Sequence, residues 1–302
     1  MKILLIGGNG QLGQAISNKL DKKFDLKILT NSKNDQNYCD ISNKKSIIKI
    51  FEQFSPEVVI NAAAFTDVER SEIYRAKANQ VNNLSLEEIA SQCLKKNSTL
   101  IHFSTDYVYD GNAKGFNFET DITNPINYYG LTKLNGEKKI IKTNCKFIIL
   151  RLSWVYSSYK KNNFVLKIIE KLKRKDNITI TNNEIGSITS TNFIANKVEK
   201  ILFFLKDNNI SIKEIFNLCP SLPSNRVEIV HTLINKLFKN EKENNFMKMR
   251  VSMSKNINNS YLAKRPINSK MNTSKFSSYF SEKLESWEED LENFIKRNNN
   301  HV

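Results

Sequence analysis

The chain has 302 residues, 40% of them hydrophobic and 25% charged, and its 46 basic and 31 acidic side chains leave a formal net charge of +15. A chain of this length buries a sizeable core in one large domain or two smaller ones without disulfides. No apolar run approaches the roughly 18 residues that cross a bilayer, and the N-terminus lacks a signal-peptide cleavage site, so membrane spanning, export and wholesale disorder are not expected.

The cysteines, histidines and positive charge exclude several further classes of protein. Cys39, Cys93, Cys145 and Cys219 form no C-x-x-C pair, so we expect reduced thiols in a cytoplasmic protein. Three histidines are too few for a histidine-based metal site. The charge is compatible with nucleic acid, a membrane surface or an anionic small ligand. Because lysine and asparagine are abundant along the whole chain, we expect neither nucleic-acid nor membrane binding.

Strands and helices alternate through the first half of the chain. Apolar runs predict buried strands at 2–6, 26–30, 58–64, 99–104 and 147–152. Apolar residues at helical spacing predict helices at 12–20, 47–54, 84–94 and 128–142. This order predicts an α/β fold, a Rossmann-like doubly wound parallel sheet covered on both faces and joined by right-handed crossovers.

In the second half of the chain, strands and helices alternate less regularly. Helices are predicted at 164–174, 193–205, 226–238 and 282–295, and short strands near 178–181 and 215–218. The polar segment 240–259 is predicted to be an exposed loop or variable insertion. We therefore predict an NAD(P)-binding Rossmann domain at 1–156. A smaller, mainly substrate-binding α/β domain follows at 157–302, and some of its elements return to the Rossmann sheet.

The first predicted strand runs directly into a glycine-rich loop. Gly7, Gly10 and Gly13 form G-x-x-G-x-x-G between this strand and the first helix. Gly7 permits the tight turn, Gly10 lets the backbone approach a pyrophosphate, and Gly13 lets the helix pack closely. The helix N-terminus then points free N–H groups at the anion. The context predicts dinucleotide binding, with a purely structural turn as the alternative.

The end of the second strand bears on which cofactor is used. An acidic residue that binds ribose hydroxyls is typical of NAD-preferring proteins at this point. Residues 29–33 contain no acid, and Lys33 is near, which favours NADPH while leaving NADH possible. Asp40 is placed either to meet the adenine amino group or to cap the next helix before Ser42.

A second motif, Y-x-x-x-K, begins the helix predicted at 128–142. Tyr129 and Lys133 lie one turn apart on one helix face, and a nearby ammonium lowers the pKa of a phenol from about 10. Such a tyrosine protonates a carbonyl oxygen while hydride reaches the carbon. Tyr128 lacks this partner because Thr132 stands at its i+4 position. Thr105, at the end of a buried strand, is placed to donate a hydrogen bond to the same oxygen.

The chain resembles the extended short-chain dehydrogenase/reductase superfamily and, within it, the dTDP-4-dehydrorhamnose reductase family. The segments that carry the resemblance are GGNGQLG (7–13), VVINAAAFTDVERSE (58–72), HFSTDYVYDG (102–111), ETDITNPINYYGLTKLNGE (119–137), RLSWVY (151–156), NNFV (162–165) and RPINSKM (265–271). The resemblance implies reduction of the 4-keto group of a dTDP-linked 6-deoxy sugar by NADPH or NADH, the last step towards dTDP-L-rhamnose for cell-surface polysaccharide.

The resemblance also implies roles for individual residues. Tyr129 matches the proton donor, Lys133 its partner, and Thr105, Asp106 and Trp154 match substrate contacts. Cofactor contacts are implied, besides Tyr129 and Lys133, for Gly7, Gly10, Gln11, Leu12, Gly13, Asp40, Ile41, Ala62, Ala63, Ala64, Phe65, Thr66 and Phe103. Trp154 taken alone is equally well explained as a core aromatic residue.

The chain departs from the family pattern at three places. The family usually has D-Q-x-G-x-P-T where this chain has N-E-I-G-S-I-T at 183–189, which leaves the sugar and nucleotide preference open. Lys270 stands where the family often has arginine, so a phosphate contact would lose its bidentate geometry. The first helix offers Gln14-Ala15-Ile16 instead of the glutamate of a magnesium-linked dimer. We carry over neither that metal nor that dimer, and monomer and homodimer both remain open.

Two rival functions stay within the same fold. Sugar-nucleotide dehydratases typically follow the threonine with Asp-Glu, whereas Tyr107 follows Asp106 here, which favours reduction. Relatives of the same fold serve as regulatory subunits of methionine adenosyltransferase. The intact Thr105, Tyr129 and Lys133 argue against a purely regulatory, non-catalytic role.

Overall fold

A parallel six-stranded sheet forms the centre of the computed structural model, which describes residues 1–159, 163–208, 210–253 and 261–298. The strands, in chain order, are β1 (Lys2–Ile6), β2 (Asp25–Leu29), β3 (Val58–Asn61), β4 (Thr99–Thr105), β5 (Lys146–Leu152), β6 (Val155–Tyr156), β7 (Ile178–Ile180), β8 (Ile185–Gly186), β9 (Thr189–Ser190), β10 (Lys213–Asn217), β11 (Ser224–Asn225) and β12 (Val251–Met253). The central sheet has the order β10-β5-β4-β3-β1-β2 with every pairing parallel, which confirms the predicted Rossmann-like architecture.

Helices connect these strands. In chain order they are α1 (Gln11–Leu20), α2 (Lys44–Phe54), α3 (Val68–Ile73), α4 (Arg75–Asn79), a π-helical turn (Gln80–Leu84), α5 (Ser85–Lys95), a 3₁₀ turn (Asp106–Val108), α6 (Tyr128–Thr143), α7 (Phe164–Lys173), α8 (Thr191–Asn208), α9 (Arg226–Leu237), α10 (Glu241–Met249), α11 (Ser274–Phe280) and α12 (Trp287–Arg297). Within the described ranges, every helix is too short or too polar to cross a membrane.

Both faces of the sheet are buried, which explains why its strands read as continuous apolar runs. Successive strand side chains point to opposite faces. Ile3 and Leu5 therefore pack with α1 and α8, while Leu4 and Ile6 pack with α2 and α5 on the other face. Each face thus has its own apolar core, as a doubly wound sheet requires.

The second half of the chain supplies part of the central sheet. β10 pairs with β5 at the sheet edge, and α8 packs against α1. The helices α7, α9 and α12 and the strand β7 build a separate apolar core, in which Trp287, Leu291 and Phe294 are buried.

The structure corrects the element prediction at three places. The segment 240–259 is not a loop throughout, since Asn240 caps α10 and β12 follows. Residues 254–259 lie outside the described part of the chain. The strand predicted at 58–64 ends at Asn61. The helices α3 and α4 and most of the π-helical turn fall at 68–83, where no element was predicted. The last helix begins at Trp287, and α11 precedes it.

Candidate active site

The glycine loop forms a cradle that only glycine allows. Gly7 has a φ of 86°, and a Cβ there would lie 2.6 Å from the Ala63 nitrogen. A Cβ on Gly13 would lie 2.1 Å from the Gly7 oxygen, so α1 packs directly on the loop. Gly10 is the N-cap of α1 and offers no side-chain cap, which leaves the first N–H groups of the helix for an anion. This cradle fits the pyrophosphate of a dinucleotide.

The predicted cofactor residues follow the ends of β1 and β3 at one edge of the sheet. Ala62, Ala63, Ala64 and Phe65 are half-buried beside the glycine loop, and Thr66 is exposed. Among the other predicted cofactor residues, Gln11 is half-buried, whereas Leu12, Ile41 and Phe103 are buried.

Asp40 lies on the surface between β2 and α2. Its Oδ1 accepts hydrogen bonds from the backbone nitrogen and hydroxyl of Ser42, while Asn43 is the N-cap of α2. Asp40 therefore stabilises the turn before the helix without capping the helix itself. Its exposed carboxylate is consistent with the predicted adenine contact.

Tyr129 lies at the carboxyl end of β4, in hydrogen-bonding contact with Thr105. The Thr105 hydroxyl donates to Oδ1 of Asp106 at 3.0 Å and also accepts from the Tyr107 nitrogen. The Asp106 carboxylate accepts a further bond from Ser153 at 3.0 Å. Thr105 thus contacts Tyr129 on one side and the buried Asp106 carboxylate on the other.

The electrostatics of Tyr129 differ from the prediction. Burial, together with the negative charge of Asp106, raises the pKa of Tyr129 to about 12. The prediction that Lys133 lowers this pKa is wrong for this structure, because the Lys133 amine is engaged elsewhere. It donates to the Phe103 carbonyl oxygen at 2.6 Å and contacts Nε2 of His102 at 3.2 Å. The phenol is therefore protonated at neutral pH and able to act as an acid.

Trp154 follows β5, the strand that pairs with β4 in the central sheet. Its φ of 40° is unusual for a non-glycine residue. A Cβ on Gly186 would lie 2.9 Å from the indole, and the Arg226 guanidinium stands 5.0 Å from the ring centroid. Arg226 pairs with the buried carboxylate of Glu184 at 2.7 Å. The half-buried tryptophan is thus held from several sides, consistent with the predicted substrate contact.

Several residues that position the site were not predicted from the sequence. Asn127 caps α6 and donates to the Lys264 carbonyl at 2.8 Å. Asn82, in the π-helical turn, bonds both backbone groups of Phe65 and the hydroxyl of Thr132. Asn127, directly before Tyr128 and Tyr129, is a recognisable helix-capping signal. No pattern in the sequence indicates the role of Asn82.

The segment 265–271 carries two cationic side chains, Arg265 and Lys270, of which Lys270 is the predicted phosphate contact. Its ammonium stands 5.6 Å from the centroid of the Phe116 ring. Arg265 bonds Glu69 on α3 and stacks on Tyr261 at 4.2 Å. Of these two cationic side chains, Arg265 is thus paired with a carboxylate, while Lys270 lies against an aromatic ring.

The parallel six-stranded sheet, the glycine turn after β1 and the Y-x-x-x-K helix together assign the chain to the class of the short-chain dehydrogenases/reductases. The family model for the RmlD substrate binding domain matches residues 1–300. The chain therefore belongs to the RmlD substrate binding domain family.

Individual relatives agree with this membership. The dTDP-4-dehydrorhamnose reductase of Aggregatibacter actinomycetemcomitans is 35% identical over 200 residues, which cover 66% of this chain and 67% of that protein. The solved dTDP-4-dehydrorhamnose reductase of Clostridium acetobutylicum is 28% identical with a TM-score of 0.86, over 98% of this chain and 99% of that one. The Bacillus anthracis enzyme, solved in complex with NADP, is 25% identical with a TM-score of 0.87, over 98% and 100% of the two chains.

Proposed function

We propose that the protein reduces the C4 ketone of dTDP-4-dehydro-6-deoxy-L-mannose (dTDP-4-dehydrorhamnose) to dTDP-L-rhamnose. The observation that carries this proposal is the contact between Tyr129 and Thr105 at the sheet edge that also holds the glycine loop. The relatives named dTDP-4-dehydrorhamnose reductase support this substrate.

The proton chemistry rests on Tyr129. Because its pKa is raised to about 12, the phenol keeps its proton until an alkoxide forms next to it. Thr105 holds the phenolic oxygen in place, and Asp106 orients the Thr105 hydroxyl. Lys133 lies one helical turn from Tyr129. In the proposed reaction its ammonium form leaves the partners that it has in the free protein, Phe103 and His102, and stabilises the phenolate that remains after proton transfer.

The cofactor of this proposal is NADPH, which supplies the hydride when bound. The uncapped N-terminus of α1 and the glycines around it would hold the pyrophosphate. The second strand ends without an acidic residue, and Lys33 is exposed in the following loop, which favours a 2′-phosphate.

The remaining assignments belong to the same proposal. Residues 1–156 would bind the cofactor and residues 157–302 mainly the dTDP-sugar, with Trp154 at the boundary. The chain would work in the cytoplasm, where its four buried cysteines, all unpaired, stay reduced. A monomer and a homodimer are both compatible with the site.

The test replaces the proton donor and leaves the ring in place. Tyr129→Phe keeps the edge-to-face packing on Tyr107, whose ring centroid lies 6.0 Å away, but removes the hydroxyl. We expect kcat for NADPH oxidation with the 4-keto sugar nucleotide to fall by about 10²- to 10⁴-fold. Tyr128→Phe is the matched control and should retain the wild-type rate.

The same assay separates the rival functions. An undiminished rate in Tyr129→Phe would refute the catalytic assignment. Dehydration of a dTDP-sugar without consumption of NADPH would indicate the dehydratase alternative. C3 and C5 epimers of the keto sugar, assayed in parallel, measure the sugar preference that the segment 183–189 leaves open.

A further inference from the structure

A chain of buried hydrogen bonds links the cofactor side of the sheet to Lys133. Oδ1 of Asn61 accepts from the Ala63 nitrogen at 3.1 Å, and Nδ2 of Asn61 contacts Nδ1 of His102 at 3.2 Å. Nε2 of His102 lies 3.2 Å from Nζ of Lys133, which also contacts the Phe103 carbonyl oxygen at 2.6 Å. The side chains of Asn61, His102 and Lys133 are all buried.

The two ends of this chain determine its direction. The backbone N–H of Ala63 can only donate, so it requires the amide oxygen of Asn61, and the NH₂ group of Asn61 then faces His102. Nδ1 of His102 must therefore accept, which places the proton of a neutral imidazole on Nε2. That N–H points at the Lys133 nitrogen, which can accept it only as an amine with a free lone pair.

We propose that Asn61 and His102 are positioning residues whose directed hydrogen bonds favour the neutral amine of Lys133 in the free protein. The inference rests on the proposed function only in that Lys133 is taken as the partner of Tyr129. Donation then runs in one direction, from Ala63 through Asn61, His102 and Lys133 to the carbonyl of Phe103. An ammonium at the same place has N–H donors only and no lone pair. It would therefore leave the N–H of His102 without an acceptor.

The other charged groups around Lys133 leave this arrangement intact. Burial lowers the pKa of Lys133 to about 8, against a smaller opposing effect of Glu137. Glu137, one turn further along α6, is already bound by Arg151 from β5 through two hydrogen bonds at 2.7 and 3.1 Å. Burial, the largest cause, lowers the pKa of His102 well below its ordinary value, which keeps the imidazole neutral. Tyr129, on the same helix, is protonated.

The first test measures the protonation state and tautomer of the His102 imidazole in the protein without substrate or cofactor. Substituting His231→Gln and His301→Gln leaves His102 as the single histidine of the chain. In ¹H–¹⁵N correlation spectra recorded at about pH 9, where a lysine with the pKa given above is mostly neutral, we expect a neutral ring protonated on Nε2. A ring protonated on Nδ1, or an imidazolium, would overturn the proposal.

The second test follows the consequence for Lys133. In the wild-type enzyme we expect kcat/KM to fall as the pH rises through about 8, because the ammonium form of Lys133 is lost. His102→Gln can turn its amide oxygen to an ammonium, so this alkaline limb should move up by about one pH unit or more. His231→Gln, away from the site, should leave the limb unchanged, and an unmoved limb in His102→Gln would contradict the proposal.

The two tests separate this inference from the proposed reaction. The tautomer is measured without turnover, so a failed spectrum would leave the reductase proposal standing. Conversely, a protein that oxidises no NADPH with any keto-sugar nucleotide would refute the proposed function while the tautomer still tested the hydrogen-bond chain.

Discussion

Asp106 lies buried at the end of β4, where only 2% of it is exposed. Burial raises the pKa of its carboxyl to about 6 against hydrogen bonds that lower it, including those from Ser153 and Thr105. The carboxylate that orients Thr105 at neutral pH is therefore held in its charged form at a cost in folding free energy.

This cost predicts an unusual pH dependence for the Asp106→Asn variant. Because the folded pKa lies above the unfolded value near 3.8, the stabilising contribution of Asp106 is complete below about pH 4 and is lost as the pH rises through about 6. At pH 7.5 the variant should be more stable than the wild type by about 1–3 kcal/mol, and less active. Urea unfolding at pH 4.5 and 7.5 measures the difference.

The control for this prediction is Asp25→Asn, an exposed carboxyl on β2. It should unfold with the pH dependence of the wild type. If Asp106→Asn also followed the wild type in parallel from pH 4.5 to 7.5, the charge of Asp106 would not be the source of the cost.

At the scale of elements, α6 and β5 are joined by a buried ion pair. Arg151 on β5 binds the carboxylate of Glu137 on α6, and the two side chains are only 3% and 1% exposed. Arg151 also donates to the Tyr109 hydroxyl at 2.8 Å. The pair fixes the helix that carries Tyr129 and Lys133 against the strand that precedes Trp154.

Removing one partner of this pair should be strongly destabilising. Arg151→Met leaves the Glu137 carboxylate buried without its cation, and we expect a loss of about 3–5 kcal/mol in the free energy of unfolding. The double variant Glu137→Leu/Arg151→Met should recover much of that loss, because no uncompensated charge remains. Denaturant unfolding of the two variants checks both statements.

An exposed ion pair elsewhere in the chain gives the comparison. Glu170 on α7 and Arg174, the C-cap of that helix, are 61% and 67% exposed. Arg174→Met should cost less than about 1 kcal/mol. Equal losses for Arg151→Met and Arg174→Met would show that burial does not govern the energy of the α6–β5 pair.

At the scale of the whole molecule, the central sheet depends on both halves of the chain. β10, from the second half, covers the edge of β5, and α8 covers α1. Without them, the edge of an apolar strand and the face of α1 carrying Ile16 and Leu20 would meet solvent.

A fragment of residues 1–156 should therefore fail to fold cooperatively. We expect it to aggregate or to melt without a sharp transition in far-UV circular dichroism, whereas the full chain melts cooperatively. The glycine loop is present in the fragment, so loss of NADPH binding would follow from the missing packing. A monomeric fragment that binds NADPH and melts cooperatively would instead establish residues 1–156 as an independent domain.

Much of this architecture could be predicted from local pattern. β1 at Lys2–Ile6 and α6 from Tyr128 were recognisable because a buried strand and an amphipathic helix each leave a periodic signal. The glycine loop was recognisable because a side chain at Gly7 or Gly13 would collide with neighbouring backbone atoms, so glycine is required there. The segment 240–259 was misread because the polar helix α10 buries only Met247, so its apolar period is weak.

The sequence by itself determined the class of fold, the glycine turn between β1 and α1, and the placement of Tyr129 and Lys133 one turn apart on α6, since all three depend on local pattern or on neighbours within one turn or one loop. Only the tertiary structure decided what those side chains bond. It turned Lys133 towards His102 and Phe103, raised the pKa of Tyr129, and brought Glu184 and Arg226 to Trp154. Desolvation and hydrogen-bond direction depend on groups distant along the chain, and no local pattern contains them.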